Sequence, residues 1–177
     1  MIRRPPRSTL SDDRRQRQMC IRDSFTILWD ALTLDLGENP QESIPLLKGL
    51  KKSQARIVAL MAKVIRVPKG KRLITDGDSA EEMYVVIDGT LNTSVMGDDG
   101  RIQVATHERG DVVGEAGLFY EQRTADVDVT EDARLLCVSQ DNLDRLSRRY
   151  PYIATKVFKN LSKILARRLF TTTHRLT

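Results

Sequence analysis

Between Asp111 and Val127 the sequence reads DVVGEAGLFYEQRTADV, and this stretch gathers residue types that could hold a small anion. Gly114 and Gly117 carry no Cβ and let backbone approach a ligand closely. The turn between them can present amide N–H groups at the start of one helical turn. Arg123 offers a planar fork of donors for phosphate oxygens, and Glu115 can accept from sugar hydroxyls or orient the turn. Together they form a small cradle for a sugar phosphate. Other roles fit the same residue types. Arg123 can pair with Glu115 or Asp126 in an empty cassette, Glu115 can cap the short helix, and Thr124 can serve only as the β-branched residue that opens a strand.

Other chemistries lack their parts. A metal-binding barrel of the cupin kind needs clustered histidines, and the chain has only His107 and His174. There is no GxxxxGK[ST] loop, no GxGxxG after a strand, no CxxC and no GxSxG. Asp98-Asp99 and Glu81-Glu82 lie in turn-like surroundings, as solvated turns do. The expectation is a binding module and not an enzyme, with no metal and no cofactor.

Strands and helices must position this segment. Residues 24–36 place Phe25, Leu28, Trp29, Leu32 and Leu36 at helical spacing, and Gly37 ends that run. After LLKGL a second helix is expected, with Ser53 as its cap and Ile57, Leu60, Met61 and Val64 as its inward face. From Ile65 the period changes. IRVP, RLIT, MYVVID, TLNTSVM, RIQVAT, DVV, ADVDV and RLLCV are short apolar or alternating runs separated by glycine, aspartate or charged turns. No helix long enough for a parallel crossover lies between them, so a small antiparallel barrel or sandwich is expected instead of a doubly wound sheet. A short helix is expected next at 140–149, and Pro151 opens a long one to about 170. The fold class is therefore α+β, mainly β, with flanking N- and C-terminal helices.

With these elements in place the sequence resembles the cyclic nucleotide-binding domain family, in the type of the catabolite activator and of protein kinase regulatory subunits. The family opens its phosphate-binding cassette with Gly-Glu and closes it with Arg, a small residue and Ala; here these are GEAGL at 114–118 and RTA at 123–125. VPKGKRLITDGDSAEEMYVVIDGTL, from Val67 to Leu91, is similar to the family's opening strands, and the likeness covers roughly 44–170. It implies a double-stranded antiparallel β-helix, or jelly-roll barrel, that binds cAMP or cGMP as a sensor and repositions its C-terminal helix. It further implies that Glu115 takes the ribose 2′-OH, that Arg123 takes the exocyclic phosphate oxygens, and that Gly114, Ala116 and Gly117 give backbone contacts. Thr124 would lie near phosphate and base, admitting cGMP without excluding cAMP. On the long helix, Phe158 and Leu161 are candidate lid residues over the base. Asp126 puts an anion where the family usually has a neutral residue. The other reading is a structural or protein-interaction module whose cassette is empty.

The net charge of +5 divides unevenly. Residues 1–22 carry seven arginines against two aspartates, the stretch 23–144 is acidic, and 145–177 holds nine basic residues and no acidic one. The domain is expected over 23–177, behind a disordered basic arm at 1–22. The basic C-terminal segment reads as a solvated helix face, able to meet an acidic effector protein or the chain's own acidic body. Ile153, Val157, Leu161 and Ile164 could support a homodimer seam. After the long helix the chain has no room for a DNA-recognition module, so direct DNA binding is not expected. Two cysteines, Cys20 and Cys137, are too few for a secreted disulfide framework, no stretch is apolar enough to span a membrane, and a cytoplasmic setting is expected.

Overall fold

The computed structural model describes residues 43–120 and 122–175, with side chains to Thr171. The basic arm at 1–22 and the helix expected at 24–36 lie outside the described residues. A 3-10 turn at Pro45–Leu47 comes first and buries Leu46 and Leu47. Helix α1 (Lys52–Met61) is the next element. Eight strands come after it: β1 (Lys63–Val67), β2 (Arg72–Ile74), β3 (Glu82–Asp88), β4 (Leu91–Gly97), β5 (Gly100–His107), β6 (Val112–Val113), β7 (Asp126–Val129) and β8 (Ala133–Ser139). One helical turn, α2 (Gly117–Tyr120), interrupts them between β6 and β7. Helices α3 (Gln140–Arg149) and α4 (Pro151–Arg175) close the chain.

The strands form two four-stranded antiparallel sheets, ordered β1-β8-β3-β6 and β2-β7-β4-β5. This is the small antiparallel sandwich that the sequence pattern predicts, in the jelly-roll form that the resemblance implies. Between them lies a core of Ile74, Tyr84, Val86, Leu91, Val127 and Leu135 with their neighbours. On β3 the alternate residues Met83, Val85 and Ile87 are equally buried. Successive side chains leave a strand on opposite faces, so a strand covered on both sides reads as the continuous run MYVVI. Cys137 is a buried free thiol of β8, as its apolar neighbours predict.

The helices obey their caps, with one correction. Ser139 accepts a hydrogen bond from the Asn142 amide at 3.2 Å, and the Ser139 amide donates to Asn142 Oδ1 at 2.9 Å, which starts α3. Pro151 then begins α4 at the position where its missing N–H costs nothing. In α1, Lys51 and not Ser53 is the cap residue, and its amide donates to Gln54 Oε1. The buried face is Ala55, Val58 and Ala59, while Leu60 is 46% exposed and Val64 already belongs to β1. Small alanines let α1 lie close to its neighbours, and that close face outweighs the bulkier residues on which the expected face was based.

The first half of α4 is anchored deeply. Ile153, Ala154, Val157 and Leu161 are buried. The stripe considered for a dimer seam thus packs mostly inside the chain. Asn160 Nδ2 donates to the carbonyls of Leu46 at 3.0 Å and Lys48 at 2.8 Å, and Lys156 Nζ donates to the Gly49 carbonyl. No helix among the described residues is long and apolar enough to cross a membrane.

Candidate functional site

Strand β6 delivers the chain to Gly114, α2 turns it, and the β2–β3 loop receives the stretch around Arg123. The Arg123 amide donates to the Asp78 carbonyl at 2.8 Å and the Gly77 amide donates to the Arg123 carbonyl at 3.0 Å. These two bonds fix the arginine's backbone. Its side chain is buried, with Nη1 donating to the Gly114 carbonyl at 3.2 Å and the guanidinium 5.9 Å from the Tyr84 ring centroid. Neither glycine has room for a Cβ. Gly114 has φ +76°, and a methyl group on it would lie 2.6 Å from Arg123 Nη1. A methyl group on Gly117 would lie 2.5 Å from Ala80 Cβ and 3.3 Å from the same Nη1.

Tyr84, whose place in MYVVI marks it only as an ordinary strand residue, forms a floor beneath Arg123. Its hydroxyl donates to Glu82 Oε1, and Cys137 Sγ donates to Glu82 Oε2 at 2.8 Å. Burial, reinforced by Glu82, pushes the phenol and the thiol far above their ordinary ranges, so both stay protonated. The only sequence signal for this floor is an aromatic in an apolar strand, which does not identify its neighbour.

The two carboxylates weighed as partners for Arg123 are both engaged elsewhere. Asp126 accepts from the Asp76 amide at 2.9 Å, and Arg72 and Arg101 flank it at 3.1 and 2.5 Å. The amide bond first, and then the two arginines, hold its carboxyl below the ordinary aspartate range. The anion that departs from the family pattern is therefore part of an ion-pair network tying β7 to β2 and β5. Glu115 is 4% exposed and accepts from Arg168 Nη1, while Arg168 Nη2 donates to the Val112 carbonyl. Among the described residues Arg123 has no ion pair.

Glu115, Arg123 and Arg168 border a cavity of about 860 Å³. Gly114, Glu115, Ala116, Gly117, Arg123 and Thr124, the six residues singled out in the sequence, all line it, with Thr124 exposed. The sheet contributes Ile74, Thr93, Val95, Val104, His107 and Val127, and α4 contributes Leu165, Arg167, Arg168, Leu169 and Thr171. Phe158 and Leu161 are absent from the lining. Leu161 is 1% exposed, and the helix reaches the cavity only about one turn later, at Leu165. His107 Nε2 and Thr93 Oγ1 are 2.8 Å apart. Burial, with a smaller contribution from Arg168 and an opposing one from Asp111, lowers the His107 pKa to about 4. The wall beside Glu115 thus carries a neutral imidazole near neutral pH. Among the described residues no group of three or more His, Cys, Asp or Glu could hold a metal ion.

A mostly apolar cavity with one buried cation, one buried carboxylate and glycine-lined backbone suits a ligand with an anion, hydroxyls and a flat apolar body. The chain is similar to several known proteins. Residues 64–150 match the family model described as "Cyclic nucleotide-binding domain". The Thermus thermophilus catabolite activator protein superposes with a TM-score of 0.68 at 28% identity, over 75% of this chain and 61% of that one. Glutaminase 1 of Bradyrhizobium diazoefficiens is 26% identical over 77% of this chain and 21% of its own length. The cAMP-dependent protein kinase regulatory subunit of Aspergillus niger is 27% identical over 59% of this chain and 25% of its own. The chain thus spans about a quarter or less of these two curated relatives.

Proposed function

We propose that this chain, whose residues 64–150 belong to the cyclic nucleotide-binding domain family, binds cAMP or cGMP as a regulatory sensor and does not transform it. Arg123 takes the exocyclic phosphate oxygens, Glu115 accepts from the ribose 2′-OH, and Gly114, Ala116 and Gly117 bring backbone to the sugar phosphate. Thr124 faces the same space beside the arginine, and the valines of β4 and β5 give the purine an apolar wall. The observation that carries this reading is the state of Arg123: buried, held at its backbone from both sides, lining the cavity, and without an ion pair among the described residues. Keeping a guanidinium away from water is costly, and a bound phosphate supplies the missing charge through short, charge-assisted hydrogen bonds.

Binding is read out by population shift, because a ligand seated between the cassette and α4 favours one placement of that helix. The receiver is a regulated effector protein or a second copy of the chain meeting α4. Glutaminase and kinase regulatory subunit among the relatives fit a module that reports to a larger assembly.

Calorimetric titration with cAMP and with cGMP tests the reading, repeated with Arg123→Ala. Micromolar binding by one nucleotide is expected. The substitution removes about two charge-assisted bonds and should weaken binding about a hundredfold or more. Absence of heat at high micromolar concentration of both nucleotides overturns the sensor reading, and unchanged affinity in the variant removes Arg123 as the phosphate anchor.

A further inference from the structure

Resting on that reading, we propose that His107 and Thr93 form a second polar pole of the cavity, which reads the polar edge of the nucleotide's base. The two come together by strand register. Thr93 of β4 lies opposite Ala105 of β5, and His107 stands two residues further along β5 on the same face. Diagonal neighbours of this kind are within reach of a long side chain, and His107 Nε2 meets Thr93 Oγ1 at 2.8 Å. That contact orients the ring and leaves Nδ1 with no hydrogen-bond partner among the described residues. His107 is only 7% exposed. Nδ1 is nonetheless reachable, because Asn92 Oδ1 is the one side-chain nitrogen or oxygen among the described residues that is both sealed and without a partner. The space that His107 borders is the cavity. A wall made largely of Ile74, Val95, Val104 and Val127 therefore holds one open hydrogen-bonding atom on a buried side chain.

The chemistry of this pole suits a base and not a phosphate. Burial first, then Arg168, with Asp111 opposing, keep the ring uncharged near neutral pH. A neutral imidazole carries one donor and one acceptor, and a threonine hydroxyl can complement either, so Nδ1 can give or take a hydrogen bond according to the tautomer. A purine edge likewise carries both donors and acceptors. Val95 and Val104 lie on the same two strands as the pole, so one ring can rest its flat face on the valines and turn its edge to His107. A ligand without a polar atom there would close Nδ1 off from water and leave it without a partner, which lowers affinity. Arg123 and Glu115 answer to the sugar phosphate that cAMP and cGMP share, whereas His107 and Thr93 answer to the part in which they differ. The sugar hydroxyl is the competing candidate for Nδ1, since Arg168 acts on His107 and also donates to Glu115. The test separates base from sugar.

Calorimetry on the whole chain tests this as a cycle in which both protein and ligand are altered. The probes are cAMP or cGMP, whichever binds the unaltered protein, and its analogues lacking the purine's 6-substituent, its nitrogen 7 or the 2′-hydroxyl. His107→Phe should weaken the parent nucleotide about tenfold, as loss of one neutral hydrogen bond does. It should weaken at least one of the two base-altered analogues by less than about twofold, because the bond is already missing there. The 2′-deoxy analogue should lose as much as the parent. Thr93→Val, which removes the hydroxyl and frees the ring, should give a smaller loss with the same dependence on the base, and it carries the cycle if the phenylalanine variant does not fold. A loss confined to ligands that keep the 2′-hydroxyl would make His107 a sugar contact. Equal losses for every ligand, or none for any, would make it part of the wall. Each of these overturns the base reading while the sensor reading survives. If the unaltered protein takes up neither nucleotide at high micromolar concentration, the sensor reading fails and the base reading with it.

Discussion

From Pro151 to Leu161 helix α4 buries Ile153, Ala154, Val157, Asn160 and Leu161, whereas from Ser162 to Thr171 it buries none of its side chains. The first half sits on Leu46 and its neighbours and satisfies the carbonyls of the 3-10 turn through Asn160 and Lys156. The second half lies along the cavity and meets the cassette through the polar grip of Arg168. One continuous helix is therefore a stability element at one end and a cavity-facing element at the other. Apolar burial is hard to undo locally, while an ion pair at a cavity rim can be exchanged for a ligand's own contacts.

Substitutions in the two halves should separate these roles. Leu161→Ala removes a fully buried side chain and should cost about 3 kcal/mol of stability, read by urea denaturation. A loss below about 1 kcal/mol would mean that the first half is not the anchor described. The next largest effect concerns the wall under the second half. A folded pKa of about 4 for His107, below the ordinary value of 6.5, means that the unfolded chain takes up this proton first as pH falls. Stability from this residue is undiminished above about pH 6.5 and falls between there and about pH 4, by about 2 kcal/mol at pH 4.5. Comparing denaturation of the unaltered protein and of His107→Gln at pH 7 and pH 4.5 checks the sign, since the variant should lose less on acidification. The smallest expected change in stability comes from Leu165→Ala. This half-buried residue should cost about 1 kcal/mol or less, yet it should weaken nucleotide binding by several fold, because it borders the cavity. A large loss of stability with unchanged affinity would erase the distinction between the halves.

Much of the fold is legible in the sequence because its signals are local. Each of the eight strands falls on one of the runs picked out between Ile65 and Val138, since a two-residue period and a turn-forming residue are properties of neighbours. The cassette is legible for the same reason, with Gly114, Glu115 and Arg123 within ten residues of one another. The features that escape depend on distant pairings. The fate of Glu115 is set by Arg168 and that of Asp126 by Arg72 and Arg101, and neither sequence spacing nor residue type points to those partners. The sequence identifies the helix that covers the site, but not which of its turns does so. An apolar stripe identifies a face and says nothing of where along it the support ends, so Leu161, a candidate lid by the family resemblance, is core, while Leu165 borders the cavity.

The two backbone hydrogen bonds that seat Arg123 have a consequence for the order of assembly. Their partners, Gly77 and Asp78, lie in the loop between β2 and β3, far upstream in the chain. A segment holding only the cassette has nothing to close against, and contacts between distant stretches form late because their loop must first be ordered. The seat of Arg123 therefore comes into being only when the β2–β3 loop and the cassette have met. Any ligand that needs the finished cavity would favour the completed domain over every incomplete form by mass action.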